Sequence, residues 1–235
     1  MTTQTFAQLI DERIAKYDLL CHPYYKAWSM GELTRENIRD YACSYYHHVA
    51  AFPEYLNVLQ GRLPDGPTRA IVLENKADED GITAADKRSH ADLWLDFAEG
   101  MGANRNEAAA HQPIQEIEEL IQHFQSIAEN GSTVEALAAL YAYESQIPKV
   151  AAEKERGLKD LYAADETTCH YFTLHKSWDI HHARVWLDQL TKEVDGDAES
   201  SKAALDAAEQ AAKSLWQALD GIERQRKLTT ISTYN

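Results

Sequence analysis

Apolar residues along this chain recur every three to four positions, and segments that alternate apolar with polar residues are scarce. A spacing of about 3.6 is typical of an amphipathic helix, whereas a half-buried strand repeats every two residues. Proline is rare, with six in 235 residues. We therefore predict an all-α fold, with residues 1–235 forming a single compact bundle of seven to eight helices and residues 228–235 a flexible tail.

Capping residues, prolines and glycines divide this pattern into helices. The predicted spans are 5–19, 34–59, 67–80, 84–100, 113–128, a sixth helix capped by Ser132 or Thr133, a seventh ending near 194–196, and 198–226. Thr34 is followed at the third position by Asn37 rather than by Glu or Gln. We therefore expect an incomplete capping box at the start of the second helix.

Three side chains that can bind metal fall on one stripe of the seventh predicted helix. His175, Asp179 and His182 are offset by four and seven positions. Such offsets return to within about 40° of the starting direction, whereas His181 points about 120° away from His175. Two imidazoles and a carboxylate are a common ligand set for iron, manganese or zinc. Because the surrounding sequence is apolar, we predict a buried metal site; a solvent-exposed helix face is the alternative.

The sixth helix supplies a further candidate ligand, Glu144, which lies among aromatic and aliphatic residues. Pro148 cannot donate the backbone hydrogen bond that the carbonyl of Glu144 would accept, so we expect the helix to bend just after Glu144. Helical bundles build dinuclear sites by pointing carboxylates and imidazoles inward from facing helices. A proline kink that serves packing alone is the competing interpretation.

The fourth predicted helix adds His90, and Glu79 lies eleven positions before it. Eleven positions make about three turns, so the two would share a stripe if the helix were continuous. Gly81 and Thr83 argue against continuity, and Asp86 competes with Glu79 as the carboxylate near His90. The full candidate set is Glu79, His90, Glu144, His175, Asp179 and His182. Three carboxylates and three imidazoles suit two ions of the iron or manganese type.

Charge and cysteine content exclude several classes of partner. The net charge is −15, which disfavours binding to nucleic acid or to an anionic membrane. No segment approaches the roughly 20 apolar residues of a membrane span, and the first residues do not resemble a secretory signal. Cys21, Cys43 and Cys169 are odd in number and widely spaced, so we expect reduced thiols and a cytoplasmic protein.

Tyrosines are dense in and beside the helices that carry the candidate ligands. They are Tyr24, Tyr25, Tyr41, Tyr45, Tyr46, Tyr141, Tyr143, Tyr162 and Tyr171. Packing explains most of them, because tyrosine fills a core with one polar end. A pair of metal ions that activates dioxygen would nevertheless oxidise a nearby phenol. Lys154, ten residues past Glu144, is either a surface lysine or a residue that faces the site.

Several segments resemble one known family. They are residues 22–28, 41–48, 74–75, 90–94, 141–144 and the triplet His175, Asp179 and His182. Over residues 5–225 the sequence resembles the heme-oxygenase-like di-metal oxidases, which share a TenA/PqqC-like fold. Within them it is most similar to the group of the chlamydial protein associating with death domains. Tyr25, Tyr41 and Lys154 point to that narrower group.

This resemblance implies two metal ions, Fe/Fe or Mn/Fe, and synthesis of the folate precursor 4-aminobenzoate from the enzyme's own side chains. Tyr25 would supply the ring and Lys154 the amino nitrogen, while Tyr41 would assist as a nearby redox residue. Tyr143 and Tyr171 would flank the site. The resemblance also implies that dioxygen and an external reductant are consumed, that each chain turns over once or a few times, and that the protein is a homodimer. It does not identify the electron donor.

One segment departs from the spacing of the family. About four additional residues lie between Glu79 and His90, near positions 83–86. An extra helical turn would alter the facing direction by only about 40°. Glu79 is nevertheless less secure than the other ligands, and Asp80 and Asp86 are its substitutes.

Three other functions compete with this one. A di-metal oxidase of the same fold would act on an external small molecule, such as a fatty acid or an amino-acid derivative. A thiamine-degrading hydrolase would need a nucleophilic cysteine, for which Cys43 is the nearest candidate. A metal-free interaction protein would bind its partner through an acidic helical surface.

Overall fold

The computed structural model describes residues 5–83 and 87–232, with side chains through residue 228. The regular structure of these residues is helical and comprises eleven α-helices and one 3-10 turn, Leu19–Cys21. The helices are α1 Phe6–Ala15, α2 Pro23–Met30, α3 Arg35–Arg62, α4 Pro67–Glu79, α5 His90–Gly100, α6 Arg105–Ala110, α7 Gln115–Asn130, α8 Thr133–Glu144, α9 Ile147–Tyr162, α10 Glu166–Glu193 and α11 Ala198–Ser232. The predicted all-α fold is confirmed.

The two ends of the chain differ from their predicted spans. The first predicted helix is divided, because α1 ends at Ala15 and the 3-10 turn follows. At the other end α11 continues to Ser232, so residues 228–232 of the predicted tail are helical and residues 233–235 lie outside the described part. None of the described helices is both long enough and apolar enough to cross a membrane.

The capping box at the start of α3 is complete, so that part of the prediction is wrong. Thr34 Oγ1 accepts a hydrogen bond from the backbone nitrogen of Asn37 at 3.1 Å. In return, Asn37 Oδ1 accepts one from the backbone nitrogen of Thr34 at 3.0 Å. The amide oxygen of asparagine therefore performs the role that glutamate or glutamine has in the usual motif.

The helix predicted to begin at position 84 begins instead at His90. Ser89 caps it by accepting a hydrogen bond from the backbone nitrogen of Asp92 at 3.1 Å. Lys87 has a φ of +57°, which no residue of a right-handed helix adopts. Residues 84–86 lie outside the described part of the chain, but residues 87–89 are not helical. The connection from α4 to α5 is therefore not one continuous helix.

A glycine allows the two ends of this connection to lie close together. Gly81 has a φ of +71°, and a Cβ added to it would lie 2.2 Å from the carbonyl oxygen of Arg88. Only glycine allows both this conformation and this close approach of two backbone segments. The end of α4 is thereby held beside the start of α5. Glu79 and His90 come together through this loop and not through a shared helical stripe.

Helix α8 lies at the centre of the bundle, where it packs against α11, α10 and α7. Its buried residues occupy every side of the helix, as expected for an element without a solvent face. It ends at Glu144, and α9 begins at Ile147 with Pro148 in its first turn. The bend predicted after Glu144 is confirmed, and it places the Glu144 side chain at an interior helix end.

Candidate metal centre and adjacent tyrosine–lysine pocket

Three of the candidate ligands form a compact buried group between α4, α5 and α10. Glu79, His90 and His175 each offer one ligand atom, and these atoms all lie within 4.8 Å of one another. Glu79 is the last residue of α4, His90 is the first of α5, and His175 lies on α10. Each of the three side chains is buried. The group needs no further movement of the backbone to converge on a common point.

The histidines of this group are oriented by their contacts. The Nδ1 atom of His175 lies 2.7 Å from the carbonyl oxygen of Tyr171, so it donates there and leaves Nε2 free. His90 Nδ1 lies 2.9 Å from Glu79 Oε2, yet it makes no hydrogen bond. Two polar atoms that are close but not aligned for a hydrogen bond are arranged as two ligands of one ion would be.

The other three candidates form a second group between α8 and α10. His182 Nδ1 lies 3.4 Å from Glu144 Oε2 and 3.9 Å from Asp179 Oδ1. Glu144 Oε1 accepts a hydrogen bond from Asn75 Nδ2 at 3.0 Å, whereas Glu144 Oε2 is buried without a hydrogen bond. All three side chains are buried, in contrast to the exposed His181. The helical spacing therefore selected the buried one of the two adjacent histidines.

Burial and neighbouring charges shift the pKa values in this cluster. Burial raises the pKa of Asp179 well above its ordinary value, and the negative charge of Glu144 adds to the effect. Burial lowers the pKa of His175 well below its ordinary value, and the nearby His90 lowers it further. Burial also lowers the pKa of His182, but Glu144, Asp179 and Asp78 outweigh it and raise the pKa to about 10. A divalent cation would relieve this crowding of buried carboxylates.

The residues present fit a pair of iron or manganese ions. Carboxylate oxygen and imidazole nitrogen are suitable donors for both metals. Two of the buried atoms that lack a hydrogen bond, His90 Nδ1 and Glu144 Oε2, lie within these two groups. The structure thus brings all six candidate residues together from four helices, and their binding of metal stays a prediction.

Asp80 and Asp86 are the predicted substitutes for Glu79. Asp80 forms an ion pair with Lys76 Nζ one turn before it on α4. Asp80 is therefore engaged elsewhere, whereas Glu79 lies beside His90 and His175. Asp86 lies outside the described residues.

Two polar residues of α4 that contact the site were not predicted as part of it. Asn75 donates to Glu144, and Asp78 Oδ2 lies 3.0 Å from His182 Nε2. Asn75, Asp78 and Glu79 are spaced at i, i+3 and i+4, so they share one face of the helix. That spacing was the available signal in the sequence.

A second cluster, the tyrosine–lysine pocket, contains Tyr25 on α2, Tyr41 on α3 and Lys154 on α9. The hydroxyl oxygens of Tyr25 and Tyr41 are 3.1 Å apart, and Lys154 Nζ donates to the Tyr41 hydroxyl. Lys154 Nζ also lies 4.4 Å from the centre of the Tyr25 ring. Lys154 is 5% exposed, which excludes the alternative of a surface lysine.

Aromatic rings surround the Lys154 ammonium position. The rings within 6 Å of Nζ belong to Tyr25, Trp28, Tyr41, Tyr45, Trp94 and Phe172. Burial lowers the pKa of Lys154 well below its ordinary value. Burial likewise raises the pKa values of Tyr25 and Tyr41. The pocket therefore favours a neutral amine beside two neutral phenols.

Aromatic contacts connect this pocket to the metal centre. Ring centres are 5.8 Å apart for Tyr41 and Trp94, 4.8 Å for Trp94 and Tyr171, and 3.9 Å for Tyr171 and His175. Tyr143 and Tyr171 also line the same small cavity as Tyr25 and Lys154. The two clusters are therefore neighbouring parts of one buried region.

Cys43, the candidate nucleophile of a thiamine-degrading hydrolase, lies on α3 and is half-buried. Burial raises the pKa of its thiol, and the nearby Asp40 carboxylate raises it further. A nucleophilic cysteine needs the opposite shift, because the thiolate is the reactive form. The surroundings of Cys43 therefore do not favour this function.

Comparisons with known proteins agree with the fold. Residues 39–216 match the model of a family described as iron-containing redox enzymes. The chain is 34% identical to a 4-aminobenzoate synthase of Chlamydia pneumoniae over 212 residues, and this alignment covers 90% of this chain and 92% of that protein. It is 35% identical over 232 residues to a 4-aminobenzoate synthase of Nitrosomonas europaea, with 94% and 92% covered. A domain of unknown function with a heme oxygenase-like fold from Shewanella denitrificans superposes with a TM-score of 0.79 at 17% identity, covering 97% and 96%. The predicted heme-oxygenase-like fold is thereby confirmed.

Proposed function

We propose that this chain, which belongs to the family of iron-containing redox enzymes, makes 4-aminobenzoate in a reaction that consumes dioxygen. The observation that carries the proposal is the contact of the buried Lys154 amine with Tyr25 and Tyr41, next to a cluster of six metal-competent residues. The two 4-aminobenzoate synthases with about one third identity over most of the chain support the same product.

The product is chemically close to a tyrosine side chain. A tyrosine ring carries one carbon and, para to it, one oxygen, whereas 4-aminobenzoate carries a carboxyl carbon and a nitrogen. The proposed conversion breaks the Cα–Cβ bond of Tyr25 and oxidises Cβ to the carboxyl carbon, which leaves glycine at position 25. The Cε–Nζ bond of Lys154 also breaks, so that the nitrogen replaces the phenol oxygen and Cε is left as an aldehyde. Two molecules of dioxygen accept six electrons from the two side chains and two from the external reductant, and two molecules of water are released. Tyr25 and Lys154 are consumed, so each chain acts once.

Glu79, His90, Glu144, His175, Asp179 and His182 would hold the two ions, Fe/Fe or Mn/Fe. When bound, ions of this kind would activate dioxygen for the reaction. The protein orients the ligands: Asn75 donates to Glu144, and the Tyr171 carbonyl accepts from His175. Burial of the ligands keeps bulk water away from the reacting side chains.

Lys154 and Tyr41 prepare Tyr25 for the reaction. Because burial lowers the pKa of Lys154, the pocket favours the neutral amine, whose lone pair is available for attack on the ring. Its hydrogen bond to Tyr41 holds Nζ beside the Tyr25 ring. The Tyr41 hydroxyl also contacts the Tyr25 hydroxyl, so a proton can pass between the three polar atoms. Tyr41 is the proposed redox partner of Tyr25.

The resemblance of the sequence to its relatives extends the proposal to the whole protein. We expect a homodimer in the cytoplasm that takes electrons from an external donor.

Isotope labelling tests whether the ring comes from the protein. Chains made with ring-¹³C-labelled tyrosine, loaded with manganese and iron and exposed to dioxygen and a reductant, should release ¹³C-labelled 4-aminobenzoate at no more than about one equivalent per chain. Tyr25→Phe should abolish the product. Tyr24→Phe is the matched control, because Tyr24 is the adjacent buried tyrosine and its hydroxyl donates to the Asn37 carbonyl instead.

Unlabelled product in large excess over protein would contradict the proposal. That outcome would favour the alternative in which the same di-metal fold acts on an external small molecule. Full activity of Tyr25→Phe would exclude Tyr25 as the source of the ring.

A further inference from the structure

Asp78 contacts the side of His182 that faces away from the proposed ions. Asp78 Oδ2 lies 3.0 Å from His182 Nε2, and Thr83 Oγ1 donates a hydrogen bond to Asp78 Oδ1. Asp78 is 8% exposed and lies one residue before the end of α4, while Thr83 belongs to the loop that follows. Both oxygens of the buried carboxylate therefore accept hydrogen bonds.

This contact determines which nitrogen of His182 faces the site. A carboxylate oxygen only accepts hydrogen bonds, so His182 Nε2 carries the proton between the two residues. The remaining nitrogen, Nδ1, faces Glu144 Oε2 at 3.4 Å and Asp179 Oδ1 at 3.9 Å. A metal ion at this point would take the Nδ1 lone pair together with the two carboxylates.

In the group with Glu79 and His90, His175 is oriented in a different way. His175 Nδ1 donates to the backbone carbonyl of Tyr171, which leaves Nε2 for an ion. His175 therefore does not depend on a side chain of α4 for its orientation. A change at Asp78 should affect one of the two ions and spare the other.

We propose that Asp78, held in place by Thr83, is a positioning residue that orients His182 for the ion shared with Glu144 and Asp179. The inference rests on the proposed metal centre. Hydrogen-bond partners behind a ligating histidine fix its orientation, and their loss typically lowers metal affinity by about 10- to 100-fold. The α4–α5 loop, through Thr83, thereby contributes to the affinity of one metal position.

Manganese binding without dioxygen tests this inference. Purified metal-free protein is titrated with Mn²⁺ under anaerobic conditions, and free Mn²⁺ is measured by electron paramagnetic resonance. The unaltered protein should bind two ions per chain. Asp78→Ala should lower the affinity for one Mn²⁺ ion by about 10- to 100-fold and leave the affinity for the other unchanged. Asp80→Ala is the matched control, because Asp80 pairs with Lys76 and should leave both ions unchanged.

A second pair of variants isolates the contribution of the loop. Thr83→Val removes the hydroxyl at nearly constant volume. It should lower the affinity for the same ion by a smaller factor, about fivefold. Thr83→Ser keeps the hydroxyl and should bind both ions normally. This pair keeps the inference testable if Asp78→Ala fails to fold, which circular dichroism would reveal.

The possible outcomes separate this inference from the proposed function. If the unaltered protein binds no Mn²⁺, the proposed metal centre fails. If it binds two ions and the folded Asp78→Ala and Thr83→Val variants bind both equally well, only the role of Asp78 is overturned. An equal loss of both ions in these variants would also overturn it, because the geometry assigns Asp78 to one ion alone.

Discussion

Lys154 shows most clearly how single residues depart from ordinary packing in this protein. Its amine lies among six aromatic rings, and its hydrogen-bond partner is the Tyr41 hydroxyl. Cation–π contacts offset part of the cost of a buried charge, but not the whole loss of hydration. The chain therefore accepts a destabilising residue at this position, which is typical of a functional site.

The pH dependence of stability should reveal this cost. The folded-state pKa of Lys154 is lowered, so between that value and the ordinary value of about 10.4 the unfolded chain binds the additional proton. The contribution of Lys154 to the free energy of unfolding should therefore become more favourable as pH rises through this interval. At pH 7, urea denaturation should give Lys154→Met a free energy of unfolding that is larger than that of the unaltered chain by on the order of 1–3 kcal/mol. The variant should also form no product.

The difference in the free energy of unfolding between Lys154→Met and the unaltered chain should be smaller at pH 9 than at pH 7. Lys149→Met is the control on the same helix, because Lys149 is exposed and pairs with Asp18, so its effect should stay within about 0.5 kcal/mol. A Lys154→Met variant that is less stable than the unaltered chain at pH 7 would show that the amine is charged and paired in the folded protein.

The sequence predicted the residues of the site unevenly, for a physical reason. His175, Asp179 and His182 lie on one helix, so the helical period alone brings them together. Asp78 and Asn75 were missed because a partner of a ligand has no spacing rule relative to that ligand across two helices. Their shared face with Glu79 becomes informative only once α4 is known to pack beside the site.

At the scale of elements, the contact between α2 and α9 depends on a glycine. Gly157 lies one turn beyond Lys154 on α9, and a Cβ added to it would lie 2.6 Å from Trp28 Nε1. Trp28 is buried and belongs to the aromatic cage of Lys154. The absence of a side chain at Gly157 therefore allows the two helices to approach closely enough to form the tyrosine–lysine pocket.

Gly157→Ala should destabilise the protein by about 1–3 kcal/mol, because the indole must move in a packed core. Gly61→Ala is the matched control near the end of α3, where a Cβ meets nothing within 4 Å. That variant should be more stable by up to about 1 kcal/mol, since alanine loses less backbone entropy on folding. Chemical denaturation of both variants measures the two effects. Equal effects of the two substitutions would show that Trp28 does not constrain position 157.

Long helices were predictable from the sequence, whereas short ones were not. Helices α3, α10 and α11 span many turns, so the apolar period repeats often enough to be recognised. Helices α2 and α6, with eight and six residues, offer about two turns each, and their starts depend on the caps His22 and Asn104. The α4–α5 connection was misjudged because alanines favour a helix locally, while the cap at Ser89 determines where α5 begins.

At the scale of the whole molecule, the consecutive helices α4 and α5 meet α8 and α10, which lie farther along the chain. Periodicity predicts which face of each helix is buried but not which helices pack together. The expected meeting of these helices came from the metal-competent residues that each of them carries, and the resemblance to a known family implied the same arrangement. The structure brings the six candidate residues together. The net charge of −15 excludes partners but carries no information about this arrangement.

Metal binding should stabilise the folded molecule, because the ligands converge only after the four helices have packed. An ion present at a hundredfold excess over its dissociation constant contributes about 2.7 kcal/mol. For a chain of this size, that corresponds to an increase of about 5–10 °C in the unfolding midpoint. Calorimetry of chelator-treated protein with and without added Mn²⁺ measures the change.

A variant that combines Glu144→Ala with His175→Ala removes a ligand from each group and should lose this stabilisation. His181→Ala, which alters the exposed histidine next to His182, should keep it. An unchanged midpoint on adding Mn²⁺ to the unaltered protein would contradict the assignment of a metal centre.

Intact-protein mass spectrometry tests the central claim that the chain consumes its own side chains. Reduced protein loaded with manganese and iron is measured before and after a single exposure to dioxygen, and the altered peptides are then mapped. We expect a loss of mass localised to Tyr25, together with an altered Lys154 and release of 4-aminobenzoate. Formation of 4-aminobenzoate by chains in which the peptides containing Tyr25 and Lys154 remain intact would contradict it.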